Sequence, residues 1–120
     1  MKFRTQIPFP NNKLTFSHQE NILSMGSCFA QNIGQKFSNL KFPTLVNPFG
    51  ILYNPISLSD ALNRIILKKH YTEQDLVEHN GLWHSFDHHS HFSHPNASKT
   101  VQQINTALSR SIDFLQKTER

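Results

Sequence analysis

The feature that most constrains the fold is a short apolar segment, Asn21–Gly26, that ends at glycine and leads directly into a helix. A brief apolar run stopped by glycine is typical of a buried strand. One helix face then follows: Phe29, Ile33, Phe37 and Leu40. Gly34 inside this helix costs about 1 kcal/mol relative to alanine, but it permits close packing on a sheet. The sequence therefore predicts a strand, a sharp turn and a helix.

The other elements are predicted from turn residues and spacing. Residues 1–20 contain Pro8 and Pro10 and show no helical period, which predicts an extended arm. In chain order we then predict a strand over Pro43–Val46, a loop over Asn47–Pro55 and a helix from a capping box at Ser57–Asp60 to about Lys69. Next we predict a helical turn over Thr72–His79, a tight turn at Asn80–Gly81 and extended pieces over Leu82–Phe86 and His89–Ser93. The last predicted element is a helix that is capped by Asn96 and reaches Leu115. Short strands between helices predict an α/β fold.

Composition and charge exclude several classes of protein. The 120 residues suffice for one domain, and no apolar run exceeds three residues, so no membrane span is predicted. The net charge is +4, but the 12 basic residues are dispersed, so nucleic acid is not predicted as a partner. The single cysteine and the lack of a signal sequence predict a cytoplasmic protein.

Cys28 is the first candidate for chemistry, because it stands at the predicted junction between strand and helix. A helix N-terminus presents free N–H groups and the positive end of the helix dipole, which favour an anion there. Gly26 would let the backbone turn, so that the next residues project beyond the carboxyl edge of the sheet, where α/β folds bind ligands. The alternative interpretation is an inert buried thiol beside a turn glycine.

Gly26–Ala30 reads GSCFA, and on these residues the chain resembles the GSCFA family of bacterial proteins. Further landmarks that look like those of the family are Asn47–Gly50, Tyr53–Pro55, Trp83–Ser85 and His88–Ser90. The family is similar to the SGNH or GDSL hydrolases. That resemblance implies a three-layer α/β/α sandwich around a parallel sheet, of which this chain would form part, and an activity on ester-linked acyl groups.

The resemblance also implies roles for individual residues. Laid on the nucleophile block of the superfamily, Cys28 takes the position of the nucleophile, whereas a shift of one residue would give that role to Ser27. Gly50 best matches the loop glycine that supplies an oxyanion-hole N–H, and Asn54 is a weaker match to the asparagine donor. The segment with His84, His88 and His89 would lie near the active site and touch the substrate. No cofactor is implied.

The implied activity is hydrolysis or transfer of the acyl group of a small-molecule or glycan ester. The superfamily uses a histidine from a C-terminal Asp-x-x-His block as the base, but no Asp or Glu stands three positions before any histidine here. The resemblance thus implies an N-terminal portion of such a domain that lacks its general base. The alternative is a noncatalytic binding module that keeps the fold.

Six of the eight histidines fall between His79 and His94, with Asp87 among them. Neutral imidazoles and a carboxylate could form a zinc site, which is a third hypothesis, although the spacing matches no zinc motif. Asp87 could instead orient a histidine by hydrogen bonding. A polar surface hairpin, with Trp83 and Phe86 packed on the sheet, is the simplest interpretation of the segment.

Overall fold

The computed structural model describes residues 3–11 and 15–117. Its strands are β1 (Ile22–Ser24), β2 (Thr44–Val46), β3 (Val77–His79) and β4 (Leu82–His84). Its helices are α1 (Cys28–Asn39), α2 (Pro55–Leu67) and α3 (Ala97–Gln116), and single 3₁₀ turns cover Glu73–Asp75 and Ser90–Phe92. These residues form an α/β fold with three helices, one parallel pair of strands and one antiparallel pair.

The first part of the fold is a β1–α1–β2 unit in which the two strands are parallel and pair from Ile22↔Thr44 to Ser24↔Val46. The predicted strand, turn and helix are therefore confirmed. Gly34 lies on the face of α1 that meets the strands. A Cβ at this position would lie 2.8 Å from Cγ2 of Val46 and 3.0 Å from the Ser24 hydroxyl oxygen. Glycine thus permits the close approach between helix and strands.

Helix α2 begins earlier than predicted. Its N-cap is Asn54, whose side-chain oxygen accepts a hydrogen bond from the N–H of Ile56 at 2.9 Å. Pro55 occupies the first turn, where its fixed φ suits a helix and its missing N–H costs nothing. The capping box predicted at Ser57 is therefore wrong, because an Asn-Pro pair three residues upstream starts the helix first. The helix ends at Lys68, which adopts a left-handed conformation.

The central hairpin differs from the prediction. The capping box at Thr72 and Asp75 is confirmed, but its turn ends at Asp75, and the following Val77–His79 is a strand. This strand pairs with β4 across Asn80 and Gly81, which both have the positive φ of a tight hairpin turn. Of the two predicted extended pieces, Leu82–Phe86 is a strand only over Leu82–His84, and the prediction for His89–Ser93 is wrong, because Ser90–Phe92 forms a 3₁₀ turn. A single bridge joins Trp83 to His94.

Helix α3 supplies much of the core, as its spacing predicts. Asn96 caps it by accepting a hydrogen bond from the N–H of Lys99 at 3.3 Å. The helix contacts α2, strand β4 and the two 3₁₀ turns. The buried apolar core consists of Phe49, Leu52, Ala61, Ile65, Tyr71, Leu76, Ile104, Leu108 and Ile112. Phe49 is fully buried, so the loop that follows β2 is anchored in this core.

The N-terminal arm divides into two parts. Residues 3–11 are exposed, whereas Phe16 contacts the rings of Phe37 and Phe42 edge-on, and His18 stacks on Phe42 at 3.8 Å. Residues 1–2 and 12–14 of the predicted arm lie outside the described residues. In the part of the chain that the structure covers, no helix is long and apolar enough to cross a membrane.

Candidate active site

The turn between β1 and α1 gives Ser27 and Cys28 different environments. Ser27 is the N-cap of α1, and its hydroxyl oxygen accepts a hydrogen bond from the N–H of Phe29 at 3.2 Å. Cys28 is the first helical residue, and its thiol is exposed. Its N–H belongs to the first turn, whose N–H groups have no partner within the helix. The hydroxyl of Ser27 therefore stabilises the helix end, while the thiol of Cys28 is accessible.

Asn47 holds this turn in place from the end of β2. Its backbone N–H donates to the Ser24 carbonyl at 2.7 Å, and its side-chain oxygen accepts from the N–H of Gly26 at 2.8 Å. Its side-chain N–H donates to Oε1 of Gln31 at 2.8 Å. Asn47 is buried, with a φ of 42°, a conformation that asparagine tolerates better than most residues. The backbone of Asn47 thus joins the ends of β2 and β1, and its side chain joins them to the turn and to α1.

The loop over residues 47–54 lies against the turn and brings Tyr53 to Cys28. The N–H of Leu52 donates to the Gly26 carbonyl at 2.9 Å. The next residue, Tyr53, is exposed, and its hydroxyl lies beside the side chain of Cys28. Hydrogen bonding to Cys28 and the charge of that residue raise the pKa of Tyr53. Tyr53 is therefore a protonated hydrogen-bond donor beside the thiol.

Gly50 lies in the same loop under two histidines. Its φ is 82°, and a Cβ there would lie 2.3 Å from Cβ of His89 and 2.8 Å from Cε1 of His91. The N–H of His89 donates to the Phe49 carbonyl at 2.9 Å, which fixes the segment on the loop. The N–H of Gly50 itself donates to the Asn47 carbonyl at 2.9 Å. In this conformation that N–H serves the loop and is not free to bind an oxyanion.

The three candidate histidines occupy different places. His89 lies directly on Gly50, and its Nδ1 is 2.8 Å from Nδ1 of His91. His88 is buried beneath the loop, with its ring 4.2 Å from that of Phe49. His84 belongs to the hairpin, where its Nδ1 meets the Ser93 hydroxyl at 2.7 Å. Only His88 and His89 contact the loop that carries Tyr53.

The comparisons with known proteins bear on this region. The model of the GSCFA family matches residues 21–120. The chain belongs to the GSCFA family. No curated protein and no solved structure matches it. The matched range begins with β1 and includes the Cys28 turn, the loop over residues 47–54 and the histidine-rich segment, so each part of the candidate site lies within the family's domain.

Within this GSCFA domain, Asp87 belongs to a polar network beneath the histidines. Its Oδ2 accepts a hydrogen bond from the Tyr71 hydroxyl at 2.9 Å, rather than from a histidine. Arg64 lies 4.3 Å from the centre of the Tyr71 ring and forms an ion pair with Asp75 at 2.9 Å. Burial raises the pKa of Asp87, because it disfavours the ionised carboxylate. These contacts support the loop after α2.

No metal centre is formed by the described residues of the GSCFA domain, since no three His, Cys, Asp or Glu side chains among them converge. Two important residues were missed by sequence reasoning, Asn47 and Tyr53. The pair Asn47–Pro48 at the end of a predicted strand was the available signal for a turn residue. Tyr53 lies among the family landmarks, but nothing in the pattern indicated that it reaches Cys28.

Proposed function

We propose that this GSCFA domain acts on ester-linked acyl groups through Cys28, as an SGNH-like hydrolase or acyltransferase. The observation that carries the proposal is the exposed thiol on the first turn of α1, beside Tyr53 and at the carboxyl end of β1. In open α/β folds, ligands bind at this edge of the sheet. The β1–α1–β2 unit supports the further proposal that it forms part of an α/β/α sandwich.

The proposed reaction begins when the sulfur of Cys28 attacks the acyl carbonyl. A bond forms between sulfur and carbon, and the carbonyl electron pair moves onto oxygen. Among the described residues, the N–H of Cys28 and the hydroxyl of Tyr53 are donors that can face such an oxyanion. When the tetrahedral species collapses, the bond from carbon to the alcohol oxygen breaks, and the alcohol leaves with the proton that the Cys28 thiol gave up. Water or an acceptor alcohol then cleaves the thioester and restores the thiol.

A second candidate is a noncatalytic binding module, and two observations favour it. Among the described residues, no histidine forms a hydrogen bond with Cys28, and the N–H of Gly50 is bonded within its loop. A nucleophile without a nearby base loses most of its rate. Under this second hypothesis, the Cys28 turn and the loop over residues 47–54 would bind the ester without cleaving it.

The decisive experiment is to incubate the protein with p-nitrophenyl acetate and to measure its intact mass and p-nitrophenol release. We expect one acetyl group on Cys28, the only cysteine in the chain. The adduct should disappear in Cys28→Ala and persist in Ser27→Ala, with circular dichroism as the check on folding.

Each result separates the hypotheses. An adduct that is lost in Ser27→Ala but retained in Cys28→Ala would assign the nucleophile to Ser27. Acetylation that survives in both variants would show reaction at unrelated surface groups. A protein that binds the ester but never becomes acetylated would favour the noncatalytic module.

A further inference from the structure

A second concave surface lies between the β3–β4 hairpin and the segment Ser85–Ser93. This hairpin cleft has a volume of about 460 Å³, within the usual range for small-molecule sites. Cys28, Tyr53 and Gly50 are not among its lining residues. It is therefore separate from the candidate active site, although His88 lines the cleft and also contacts the loop that holds Gly50.

Several polar groups of the hairpin cleft are already satisfied within the protein. Nδ1 of His88 meets the Ser85 hydroxyl at 2.8 Å, and Nδ1 of His84 meets the Ser93 hydroxyl at 2.7 Å. The side chains of Glu78 and Ser90, which also line the cleft, are exposed and form no hydrogen bonds with the described residues. The cleft thus retains a carboxylate and a hydroxyl that can bind a ligand.

His88 adds a more unusual feature. Its side chain is 7% exposed, yet its Nε2 atom has no hydrogen-bond partner among the described residues. Most buried polar atoms in folded proteins have such a partner, so an unsatisfied ring nitrogen on a residue that lines a cleft is unusual. Because Nε2 is covered in this structure, nearby side chains must shift before a ligand can reach it.

The charge of the cleft limits which ligands it can take. No Lys or Arg lines it, and Glu78 is its only carboxylate, so an anion is disfavoured. Burial lowers the pKa of His88 to about 3, which keeps this ring neutral at neutral pH. Among the residues that the structure covers, no three metal-ligating side chains converge here. A neutral ligand that both donates and accepts hydrogen bonds fits these groups best.

The cleft also presents apolar surface. Phe86 is 74% exposed and Val77 is 43% exposed, and both line it. We propose that the hairpin cleft binds a neutral sugar, whose apolar face lies on Phe86 and whose hydroxyl groups bond to Glu78, Ser90 and Nε2 of His88. This site goes beyond the proposed ester chemistry, because it needs neither Cys28 nor Tyr53.

The test is ligand binding followed by NMR on the purified protein, with glucose and N-acetylglucosamine as probes up to roughly 50 mM, since weak ligands of this kind have millimolar Kd values. We expect saturable binding that shifts the ring signals of His88. Phe86→Ala should weaken the better-bound sugar about tenfold, and Ser90→Ala should weaken it about threefold. Both positions are exposed, so neither change should disturb folding.

Two control variants separate this proposal from the others. Ile66→Ala removes a comparably exposed apolar side chain (67%) on α2, outside the cleft lining, and should leave sugar binding unchanged. Cys28→Ala should also leave it unchanged, so loss of the ester chemistry alone does not affect this result. If Cys28→Ala abolished sugar binding, the site would instead belong to the turn at α1.

Other outcomes would overturn the proposal. The proposal is overturned if neither glucose nor N-acetylglucosamine binds at the highest concentration. It is also overturned if Phe86→Ala and Ser90→Ala both bind the sugar as tightly as the original protein does. Ethanolamine binding more tightly than either sugar would assign the cleft to a cation through Glu78. Tighter binding of inorganic phosphate would show that the neutral character of the cleft was misjudged.

Discussion

The β1–α1 turn and the histidine-rich segment hold their polar residues by different means. Asn47 fixes the turn through hydrogen bonds to Ser24, Gly26 and Gln31, which leave the Cys28 thiol exposed. The ring of His88 is instead held among aromatic rings, where its Nδ1 bonds to the Ser85 hydroxyl and its Nε2 has no hydrogen-bond partner among the described residues. Directional bonds can fix a backbone around an accessible group, whereas aromatic packing fixes a ring by enclosing it.

The two regions meet at Gly50, where we expect the largest effect of a single substitution. Gly50→Ala would place a methyl group 2.3 Å from Cβ of His89 at a φ of 82°. Strain and overpacking together should lower the free energy of unfolding by about 3 kcal/mol or more. Urea denaturation measures this change.

Gly81→Ala is the matched control for that prediction. Gly81 has a similar φ of 77°, but nothing lies within 4 Å of the added Cβ. Gly81→Ala should therefore lower the free energy of unfolding by the backbone strain alone, about 1 kcal/mol. Equal losses at the two positions would mean that the histidines do not press on the Gly50 loop.

The next largest effect is expected at Asn47. Asn47→Ala removes both side-chain hydrogen bonds and leaves the buried N–H of Gly26 without an acceptor. We expect a loss of about 2 to 3 kcal/mol in the free energy of unfolding. The control is Asn54→Ala, which removes an exposed helix cap and should cost about 1 kcal/mol. If Asn54→Ala proved the more damaging change, the role assigned to Asn47 would be wrong.

His88 makes stability depend on pH. Burial lowers its pKa from 6.5 to about 3 in the folded protein, so between these values the unfolded chain binds the extra proton. Its contribution to stability is therefore complete above pH 6.5 and declines as pH falls towards 3. The expected slope is about 1.4 kcal/mol per pH unit from this residue alone.

His88→Phe keeps an aromatic ring but cannot titrate, so its stability should fall less steeply with acid than that of the original protein. Urea midpoints at several pH values between 7 and about 4.5 provide the comparison. The raised pKa of Asp87 acts in the opposite direction and is present in both proteins, so it cancels in the difference. Parallel curves would indicate that His88 is accessible to protons in the folded state.

The smallest effect is expected at Tyr53, and it concerns titration rather than stability. The hydrogen bond and the charge of Cys28 raise the pKa of Tyr53. Cys28→Ala should therefore return it towards its ordinary value, as measured by NMR of labelled tyrosine. Ser59→Ala, an exposed change on α2, should have no effect. If the pKa of Tyr53 did not respond to Cys28→Ala, the contact between the Tyr53 loop and the Cys28 turn would be contradicted.

Local patterns predicted three elements that the structure contains. The apolar run before Gly26, the face that begins at Phe29 and the stripe from Asn96 each correspond to an observed element, although Phe29 and Leu40 at the ends of that face are exposed. Strand β3 was missed because all three of its residues, Val77–His79, are exposed and show no alternation of burial. The start of α2 was misplaced because Ser57 resembled a capping residue, although Asn54 and Pro55 formed a stronger signal.

The candidate site was only partly predictable for a physical reason. Cys28 and Gly50 stand in recognisable short motifs, so sequence alone selects them. The roles of Asn47 and Tyr53 depend on contacts with residues 16 or more positions earlier, which no local pattern contains. The hydrogen bond within the Gly50 loop likewise depends on the backbone conformation of Asn47.

The Asn-Pro pair that ends β2 also affects the chemical ageing of the protein. An asparagine side chain deamidates when the backbone nitrogen of the next residue attacks its carbonyl, and Pro48 has no N–H to support that ring closure. The amide that joins the two strand ends is therefore chemically durable. Asn80 is followed by Gly81 on an exposed turn, where a flexible N–H is available. Deamidation in stored protein should thus accumulate at the tip of the hairpin and spare Asn47.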